Sequence, residues 1–291
     1  MKYHISAKTK LLCLIGHPVE HSMSPIMHNA VLKQMGMDFV YVAFSVISKS
    51  LKKAVKGIKA LNIKGVNVTI PHKQNIIPYL DYIDPLAKNI GAVNTIKNED
   101  GTLKATNTDA RGAKDALLNA GCKISGKNIV ILGAGGAARA LCFTLGEDAE
   151  LLTIANRTEH KAKELAEEIR KKLDVKVEGY SNNPRIINNL VKKADILINS
   201  TPVGMFPDIN QIPIPESIIH SDLFVFDIIY NPIKTLLINK AEKVGCNTLG
   251  GLDMLVNQGA LAFEWWTGKK PDTTIMKNKI IEYMGHDHVR Q

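Results

Sequence analysis

The sequence lacks a long apolar run and a signal-like start. None of its apolar stretches approaches the roughly 20 residues that a membrane-spanning helix needs. LLCLIG, residues 11–16, is shorter than the roughly 7–15 residues of a signal peptide's apolar core, and no small-residue cleavage site follows it. We therefore expect a cytoplasmic protein without a membrane partner, in which LLCLIG is the first strand.

The sequence also lacks paired cysteines and a recognisable metal-binding spacing. Its four cysteines are Cys13, Cys122, Cys142 and Cys246. Since none forms a CxxC pair, reduced thiols are expected instead of a zinc site or a disulfide framework. His17, His21 and His28 lie close together in sequence, but Pro18 breaks any helix joining the first two, and no carboxylate or cysteine clusters with them in a recognised metal-binding spacing. We expect no metal.

Acidic residues are outnumbered by basic ones, which gives the chain a formal net charge of +9 over 291 residues. A basic chain invites a nucleic-acid interpretation. However, the sequence has no arginine-rich arm and no aromatic ladder, and aromatic residues make up only 5% of it. We therefore expect no nucleic-acid partner. A basic surface would also attract an anionic cofactor or substrate.

Two series of strand-like and helical stretches follow one another along the chain. Residues 1 to about 105 contain the strand-like runs LLCLIG, DFVYVAFSV, GVNVTI and GAVNTI and the helical stretches PIMHNAVLKQMG, SLKKAVKGIKALN and NIIPYLDYID. Residues from about 110 to 250 contain NIVILGAG, LLTIANR, VKVEGY, DILINST, LFVFDIIY and CNTLGG, with helices between them. This alternation predicts two α/β domains with mostly parallel sheets, the second doubly wound. The helical tail LDMLVNQGALAFEWWTG and TTIMKNKIIEYMGH is expected to pack back on the first domain.

A glycine-rich turn in the second series predicts a dinucleotide site. The strand NIVIL runs into a turn in which Gly133, Gly135 and Ala138 match G-x-G-x-x-G/A. Glycines at these places permit a tight turn and let backbone N–H groups approach a pyrophosphate closely. The motif alone is weak evidence, but here the preceding strand, the helix and the next strand are all present.

The residues after the next strand indicate which dinucleotide is bound. An NAD site usually places an acid there to bind the ribose hydroxyls. This chain has Arg157 instead, with Lys161 one helical turn further on. A guanidinium can pair with a 2′-phosphate, which an acid would repel. The sequence therefore favours NADP over NAD.

HSMSP, near the N-terminus, predicts a small anion site. Ser24 and Pro25 form a good helix start, with Ser24 as the N-cap and Pro25 at the first helical position. Ser22 has no such structural reason. Two hydroxyls near a helix N-terminus form a cradle for a carboxylate.

The stretch GVNVTIPHK, residues 65–73, predicts a strand that presents a lysine. Asn67 and Thr69 are two residues apart and so point to the same face of an extended chain. Pro71 ends the strand because it has no N–H to donate. Lys73 follows where the chain leaves the core, either as a solvated lysine or as a group directed at a ligand.

Two further polar residues follow strand-like runs. They are Asn94 in GAVNT and Asp109 in ATNTDA. Such residues are most often turn or N-cap residues, and Asp109 could cap a helix that starts near Arg111. NSTPVGM and DIIYNP lie at the carboxyl ends of strands in the second series, where ligands bind in such sheets.

Taken together, these stretches resemble the shikimate dehydrogenase family. The family's motif order is reproduced across nearly the whole chain by HSMSP, NVTIPHK, GAVNT, NTDA, GAGGAARA, NRT, NSTPVGM, YNP and GLDMLVNQG. The resemblance implies NADP-linked, reversible reduction of 3-dehydroshikimate to shikimate in aromatic amino-acid biosynthesis. It also implies a substrate-binding and catalytic α/β domain at 1–109, completed by helices at 252–291, and a Rossmann NADP domain at 110–251.

The resemblance assigns roles to individual residues. Lys73 and Asp109 match the family's catalytic pair, and Asn67 is expected to be a structural neighbour of the site. The residues at substrate-binding positions are Ser22 and Ser24 for the carboxylate, and Thr69, Lys73, Asn94, Asp109, Tyr230 and Gln258 for the rest of the molecule. The residues at cofactor positions are Gly133, Ala134, Gly135, Gly136, Ala137, Asn156, Arg157, Thr158, Lys161, Thr201, Val203, Met205, Ile228, Gly251 and Met254.

The role of Lys73 has two readings. Hydride delivery to a ketone leaves developing alkoxide charge, which a cation or proton donor stabilises. A lysine with a reference pKa of roughly 10.4 is a poor base near neutrality, and an adjacent carboxylate would favour the ammonium further. Proton shuttling and charge stabilisation therefore both stay open.

Three alternatives compete with this assignment. A quinate/shikimate dehydrogenase using NAD should carry an acid where Arg157 stands. A methylenetetrahydrofolate dehydrogenase has a similar build but no use for a small carboxylate cradle. The third is a non-catalytic protein, either an NADP-binding sensor or a nucleic-acid binder that uses the basic surface. The sequence does not fix the oligomeric state, for which a homodimer is the candidate assembly.

Overall fold

The structure is a computed structural model that describes residues 5–287. It contains two compact units, one formed by residues up to Thr108 and from Val256 onward, the other by Asp109–Leu255. These limits lie one residue and four residues from the domain limits expected from the sequence. The functions assigned to the two domains stay predictions. Residues 1–4 and 288–291 of the expected first domain lie outside the described residues.

The first unit contains a six-stranded mixed sheet. Its strands are β1 (Lys10–Gly16), β2 (Phe39–Ser45), β3 (Gly65–Val68), β4 (Tyr82–Ile83), β5 (Thr95–Glu99) and β6 (Thr102–Thr106). They lie in the order β2-β1-β3-β5-β6-β4. β5 runs antiparallel to β3 and β6, whereas the other pairs are parallel. β1 and β3 are almost wholly buried, and their apolar side chains, with those of β5 and β6, form one core.

Helices from both ends of the chain complete the first unit. They are α1 (Ser24–Gln34), α2 (Leu51–Ala60), α3 (His72–Asn75), α4 (Pro85–Ile90), α10 (Gly251–Thr267) and α11 (Thr273–Asp287). The indole N–H of Trp266 in α10 donates to the Ile96 carbonyl at 2.9 Å. A Cβ on Gly65 would lie 2.6 Å from the Trp266 ring, so only glycine leaves room for this side chain against β3. The prediction that the C-terminal helices pack on the first domain is confirmed.

Residues 75–84, NIIPYLDYID, are not the helix that the sequence predicted. A short 3₁₀ turn at Ile77–Tyr79 follows α3, and the chain then enters β4, which pairs with β6. Pro78 cannot donate a backbone hydrogen bond within a helix. The Asp81 carboxylate accepts from the Leu103 N–H at 2.7 Å, which attaches this segment to the sheet.

The second unit contains a six-stranded parallel sheet. Its strands are β7 (Asn128–Leu132), β8 (Leu151–Asn156), β9 (Val177–Ser181), β10 (Ile196–Asn199), β11 (Phe224–Asp227) and β12 (Asn247–Leu249). Its helices are α5 (Thr108–Asn119), α6 (Gly136–Leu145), α7 (Glu159–Lys172), α8 (Pro184–Val191) and α9 (Leu236–Val244). The order β12-β11-β10-β7-β8-β9 is that of a doubly wound dinucleotide-binding sheet, with the order reversing between β7 and β10. The predicted fold class is confirmed.

No helix within residues 5–287 is long and apolar enough to cross a membrane.

Candidate active site

The two serines of HSMSP lie at the start of α1 in a different arrangement from the one expected. The helix begins at Ser24, and the residue in the cap position, Met23, makes no side-chain cap bond. The interpretation of Ser24 as the N-cap is therefore wrong. The hydroxyl oxygen of Ser22 instead accepts from the Ser24 N–H at 3.3 Å. Ser22 is half-buried and Ser24 is buried, so both hydroxyls lie at the helix N-terminus, as a carboxylate cradle requires.

Tyr41 of β2 connects Ser24 to Asn67 of β3. The Ser24 side chain lies close enough to the Tyr41 phenol to oppose the rise in its pKa. The phenol donates to Asn67 Oδ1 at 2.7 Å. The ring of Tyr41 stacks on that of His28, with centroids 4.4 Å apart and planes at 15°. Burial raises the pKa of Tyr41 and lowers that of His28 to about 3, so both side chains are neutral near neutral pH.

Asn94 continues this polar chain toward α5 and α10. The Asn67 side-chain amide donates to the Asn94 carbonyl at 3.2 Å. Asn94 Oδ1 accepts from the Thr108 N–H at 2.7 Å, which caps the first turn of α5. Asn94 Nδ2 donates to Thr108 Oγ1 at 3.0 Å and lies 3.5 Å from Gln258 Oε1. Asn94 and Gln258 are both buried. We call the linked side chains of Ser24, Tyr41, Asn67, Asn94 and Gln258 the amide network.

Lys73 is bonded to Val93, the residue before Asn94, and Asp109 follows Thr108, which is bonded to Asn94. Lys73 lies in α3, is half-buried, and its carbonyl accepts from the Val93 N–H at 2.8 Å. Asp109 is buried and follows Thr108 directly in the first turn of α5. It is therefore inside the helix, and Asn94 provides the cap that the sequence allowed Asp109 to provide. The prediction that Lys73 and Asp109 act as a pair stays a prediction.

Thr69 lies at the end of β3, against the end of β1. Its N–H donates to the Ile15 carbonyl at 3.0 Å. A Cβ on Gly16 would lie 2.3 Å from the Thr69 methyl group, so glycine is needed for this approach. Since Gly16 directly precedes the segment that leads to Ser22 and Ser24, Thr69 is held at the same edge of the sheet as that segment.

The glycine turn after β7 has the geometry of a phosphate cradle. Gly133 has a φ of +108°, and a Cβ there would lie 2.8 Å from Ser200 Oγ, so the position requires glycine. Gly135 is exposed, and a Cβ there would meet no atom within 4 Å. No acidic residue lies in the first turn of α6. The turn of residues 133–137, which includes Ala134, Gly136 and Ala137, therefore fits a pyrophosphate at a helix N-terminus.

The segment after β8 presents two cations to solvent. Arg157 and Lys161 are exposed, and within residues 5–287 neither forms an ion pair with an acid. The Asn156 side-chain amide donates to the Thr158 carbonyl at 2.9 Å, which fixes the turn that carries Arg157. The Gly133 N–H donates to the Ala155 carbonyl at 2.8 Å, so this turn adjoins the glycine turn. The arrangement fits a dinucleotide with a 2′-phosphate.

The loop after β10 is organised by Asn199. Asn199 Oδ1 accepts from both the N–H and the hydroxyl of Thr201, at 3.1 and 2.7 Å. Asn199 Nδ2 donates to the Val203 carbonyl at 3.3 Å, and the Val203 N–H donates to Thr201 Oγ1 at 3.2 Å. Thr201 and Val203 are half-buried, whereas 45% of Met205 is exposed.

The segments after β11 and β12 approach each other closely. The Gly251 N–H donates to the Ile229 carbonyl at 3.1 Å, and a Cβ on Gly251 would lie 2.0 Å from the Ile228 oxygen. Tyr230 is half-buried, and burial raises the pKa of its phenol. Met254 is buried in the first turn of α10.

Sequence reasoning missed one member of the amide network, Tyr41, and two threonines that contact it. Tyr41 lies in the apolar run DFVYVAFSV, which gave no sign of a polar contact. Thr95 and Thr108 were present in GAVNT and NTDA but were not singled out. Thr95 Oγ1 accepts from Asn67 Nδ2 at 3.2 Å and lies 3.1 Å from Thr108 Oγ1. Two threonines in adjacent polar motifs were the available signal.

The four cysteines are free and buried, and burial raises the pKa of each thiol. The described part of the chain holds no group of three or more His, Cys, Asp or Glu side chains that could bind a metal ion.

Comparison with known proteins covers both units. Residues 14–96 match the family model of the shikimate dehydrogenase substrate binding domain, residues 115–228 that of shikimate / quinate 5-dehydrogenase, and residues 251–281 that of the shikimate 5'-dehydrogenase C-terminal domain. The chain is 51% identical, over 96% of its length and 98% of the relative's, to the shikimate dehydrogenase (NADP(+)) of Methanocaldococcus jannaschii.

Two solved structures are similar over nearly the whole chain. A crystal structure of shikimate dehydrogenase in complex with NADP+ has a TM-score of 0.90 and 49% identity, covering 96% of this chain and 97% of that one. The enzyme from Listeria monocytogenes, solved with shikimate and NAD, has a TM-score of 0.89 and 39% identity, covering 96% and 99% of the two chains.

Proposed function

The chain belongs to the shikimate dehydrogenase family, and we propose that it reduces 3-dehydroshikimate to shikimate reversibly with NADPH, in aromatic amino-acid biosynthesis. It is accordingly an oxidoreductase that acts on a CH–OH group with NADP as its cofactor. A cytoplasmic location and a homodimeric assembly stay predictions from the sequence.

The observation that carries the proposal is the amide network of the first unit. It extends from Ser24 to Gln258 through buried, neutral polar side chains contributed by two strands, two helices and the residue before β5. Buried polar side chains that hydrogen-bond to one another fix the positions of donors and acceptors. Recognition of a small polyhydroxylated ring requires such fixed positions. The residues matched by the substrate-binding family model include most of this network.

Each end of the network would bind a different part of the substrate. Ser22 and Ser24, at the positive end of α1, would donate hydrogen bonds to the substrate carboxylate. Asn94 and Gln258, with Thr69 and Tyr230, would hold the ring hydroxyls. The side-chain amide of Asn67 donates to Asn94 and Thr95 and accepts from Tyr41. These bonds within the protein support its expected role as a structural neighbour of the site.

Lys73 and Asp109 would carry out the proton and charge chemistry. Reduction of the ketone requires a proton at the carbonyl oxygen and stabilisation of negative charge there. The Lys73 ammonium can supply both, and the Asp109 carboxylate can orient it. The motifs NVTIPHK and NTDA, which carry Lys73 and Asp109, are the basis for pairing the two side chains in this proposal.

The second unit would hold the cofactor, which supplies the hydride. Residues 133–137 would bind the pyrophosphate, and Arg157 with Lys161 would bind the 2′-phosphate, supported by Asn156 and Thr158. The loop that carries Thr201, Val203 and Met205, together with Ile228, Gly251 and Met254, would surround the nicotinamide end.

An assay of four substrate and cofactor combinations tests the proposal. Purified protein is given shikimate or quinate with NADP+ or NAD+, and the reduced cofactor is followed by its absorbance. We expect the highest kcat/KM with shikimate and NADP+. Faster turnover with quinate and NAD+ would favour a quinate dehydrogenase instead. No turnover with either acid, despite NADP+ binding, would favour a non-catalytic sensor.

A further inference from the structure

Asp227 is a buried carboxylate that no predicted role accounts for. It is the last residue of β11, and its side chain is fully buried. Burial raises its pKa to about 6. Among residues 5–287 no cation pairs with it; all of its hydrogen-bond partners are neutral. A buried charge with only neutral partners is costly, so its presence calls for a function.

The partners of Asp227 belong to the two loops expected around the nicotinamide. Oδ1 accepts from Asn199 Nδ2 at 3.0 Å and from the Ile229 N–H at 3.1 Å. Oδ2 accepts from the Thr235 hydroxyl at 2.7 Å. Thr235 is also the N-cap of α9, where it accepts from the Ile238 N–H at 3.3 Å. One carboxylate therefore connects the end of β10, the segment after β11 and the start of α9.

Each connection fixes a segment that the cofactor is expected to contact. Asn199, held by Asp227, organises the loop of residues 200–205 through Thr201 and Val203. The hydrogen bond from the Ile229 N–H to Asp227 holds the segment of residues 228–230. The Ile228 N–H of the same segment donates to the Asn199 carbonyl at 3.1 Å. We call Asp227, Asn199, Thr235 and the Ile229 N–H the carboxylate network.

We propose that Asp227 is a positioning residue for the nicotinamide half of the cofactor, and this inference rests on the proposed function. The carboxylate acts through the two loops and touches neither cofactor nor substrate. Only an ionised side chain accepts all three hydrogen bonds as charge-assisted bonds, which are roughly twice as strong as neutral ones. Asparagine has the same shape but offers one acceptor atom and one donor, so the Thr235 hydroxyl would lose its acceptor.

The sheet order separates this effect from binding at the other end of the cofactor. β11 lies on one side of β7, beyond β10, whereas β8, with the Arg157 turn, lies on the other side. Adenosine 2′,5′-bisphosphate has the 2′-phosphate end of NADP+ but no nicotinamide. A loss of contacts confined to the nicotinamide half should weaken the binding of NADP+ and leave the binding of this smaller ligand unchanged.

Calorimetric titration of Asp227→Asn with both ligands tests the proposal. We expect the Kd of NADP+ to rise roughly ten-fold, with that of adenosine 2′,5′-bisphosphate unchanged. The thermal unfolding temperature at pH 8 should not fall, because the variant removes a buried charge. Unchanged NADP+ binding, or equal weakening of the two ligands, would overturn the proposal.

A second pair of variants decides the question if Asp227→Asn does not fold. Thr235→Val removes the hydroxyl that donates to Asp227, whereas Thr235→Ser keeps it. We expect weaker NADP+ binding in Thr235→Val alone, and equal affinities of the two variants would overturn the proposal. The titrations use no shikimate, so a wild-type protein that binds NADP+ but turns over no shikimate would contradict the proposed reaction alone. Lack of NADP+ binding by the wild type would overturn both.

Discussion

The amide network of the first unit and the carboxylate network of the second solve similar problems with different chemistry. Both are buried, and both fix segments that carry predicted ligand-binding residues. The amide network contains hydroxyls and amides only, and the pKa values of Tyr41 and of His28, which stacks on it, are moved away from neutrality. The carboxylate network depends on Asp227, whose pKa is raised to about 6.

The difference indicates what each network is suited for. A neutral network keeps the same donors and acceptors across the physiological pH range, which favours recognition of ring hydroxyls. A buried carboxylate gives stronger hydrogen bonds at a cost in stability, which favours holding loops that would otherwise move. Changes in the amide network should therefore alter the use of shikimate, whereas changes in the carboxylate network should alter cofactor binding.

The largest expected effect is that of Lys73→Met in the first unit. Loss of the ammonium should lower kcat by about 1,000-fold or more while changing the KM for shikimate much less, because general acid catalysis and charge stabilisation act in the transition state. The Kd of NADP+ should not change. Lys88→Met, at an exposed lysine of α4, is the control. A Lys73→Met variant that keeps most of its turnover would remove this lysine from the mechanism.

Asp227→Asn should change how stability depends on pH. The pKa of Asp227 is raised from its ordinary value of 3.8 to about 6. Its contribution to stability is therefore greatest below about pH 4 and is lost as pH rises through about 6. Between pH 4.5 and 8 the free energy of unfolding of the wild type should fall by about 2 kcal/mol relative to the variant. Urea unfolding of both proteins at both pH values measures this change. If the difference in the free energy of unfolding between wild type and variant is the same at both pH values, the raised pKa of Asp227 is refuted.

Arg157→Asp tests the cofactor preference of the second unit. Replacing a guanidinium with an acid should weaken the binding of NADP+ by about 100-fold, because a charge-assisted hydrogen bond is lost and the carboxylate repels the 2′-phosphate. NAD+ should be much less affected, and the KM for shikimate should stay the same. Lys193→Asp, at an exposed residue after α8, controls for the change in net charge. Equal losses of NADP+ and NAD+ affinity would exclude contact with the 2′-phosphate.

The smallest expected effect is that of Tyr41→Phe in the amide network. The variant keeps the ring that stacks on His28 and removes only the hydroxyl, leaving Asn67 Oδ1 without its donor. We expect a loss of about 1–2 kcal/mol in the free energy of unfolding and a higher KM for shikimate, with NADP+ binding unchanged. Tyr82→Phe, at a tyrosine with 53% of its surface exposed, is the matched control. A weaker affinity for NADP+ would contradict the separation of the two networks.

The sheet of the second unit could be predicted from sequence because its four central strands, β7, β8, β10 and β11, are mostly buried apolar runs that end in glycine or polar residues. The hairpin of β5 and β6 was missed, although Asp100-Gly101 is a strong hairpin signal. Both residues have positive φ, 50° and 93°, as a tight turn between these strands requires. Pro78 likewise spoke against the helix predicted for residues 75–84.

The candidate site residues could be named from motifs, but their connections could not. Asn94 and Gln258 are 164 residues apart in sequence, and nothing local to either indicates the other. Tyr41 is a typical strand residue by composition, and its role depends on which strands become neighbours. Asp227 was overlooked because an acid at a strand end is usually a turn residue, and only its burial shows otherwise.

The first unit contains the beginning of the chain and also its end. Trp266 and α11 are synthesised only after the whole second unit. Until then β3 lacks the indole that covers Gly65, and α1 lacks its neighbour α11. The first unit is therefore completed only after the second has been synthesised, although the side chains of its main apolar core all precede the second unit.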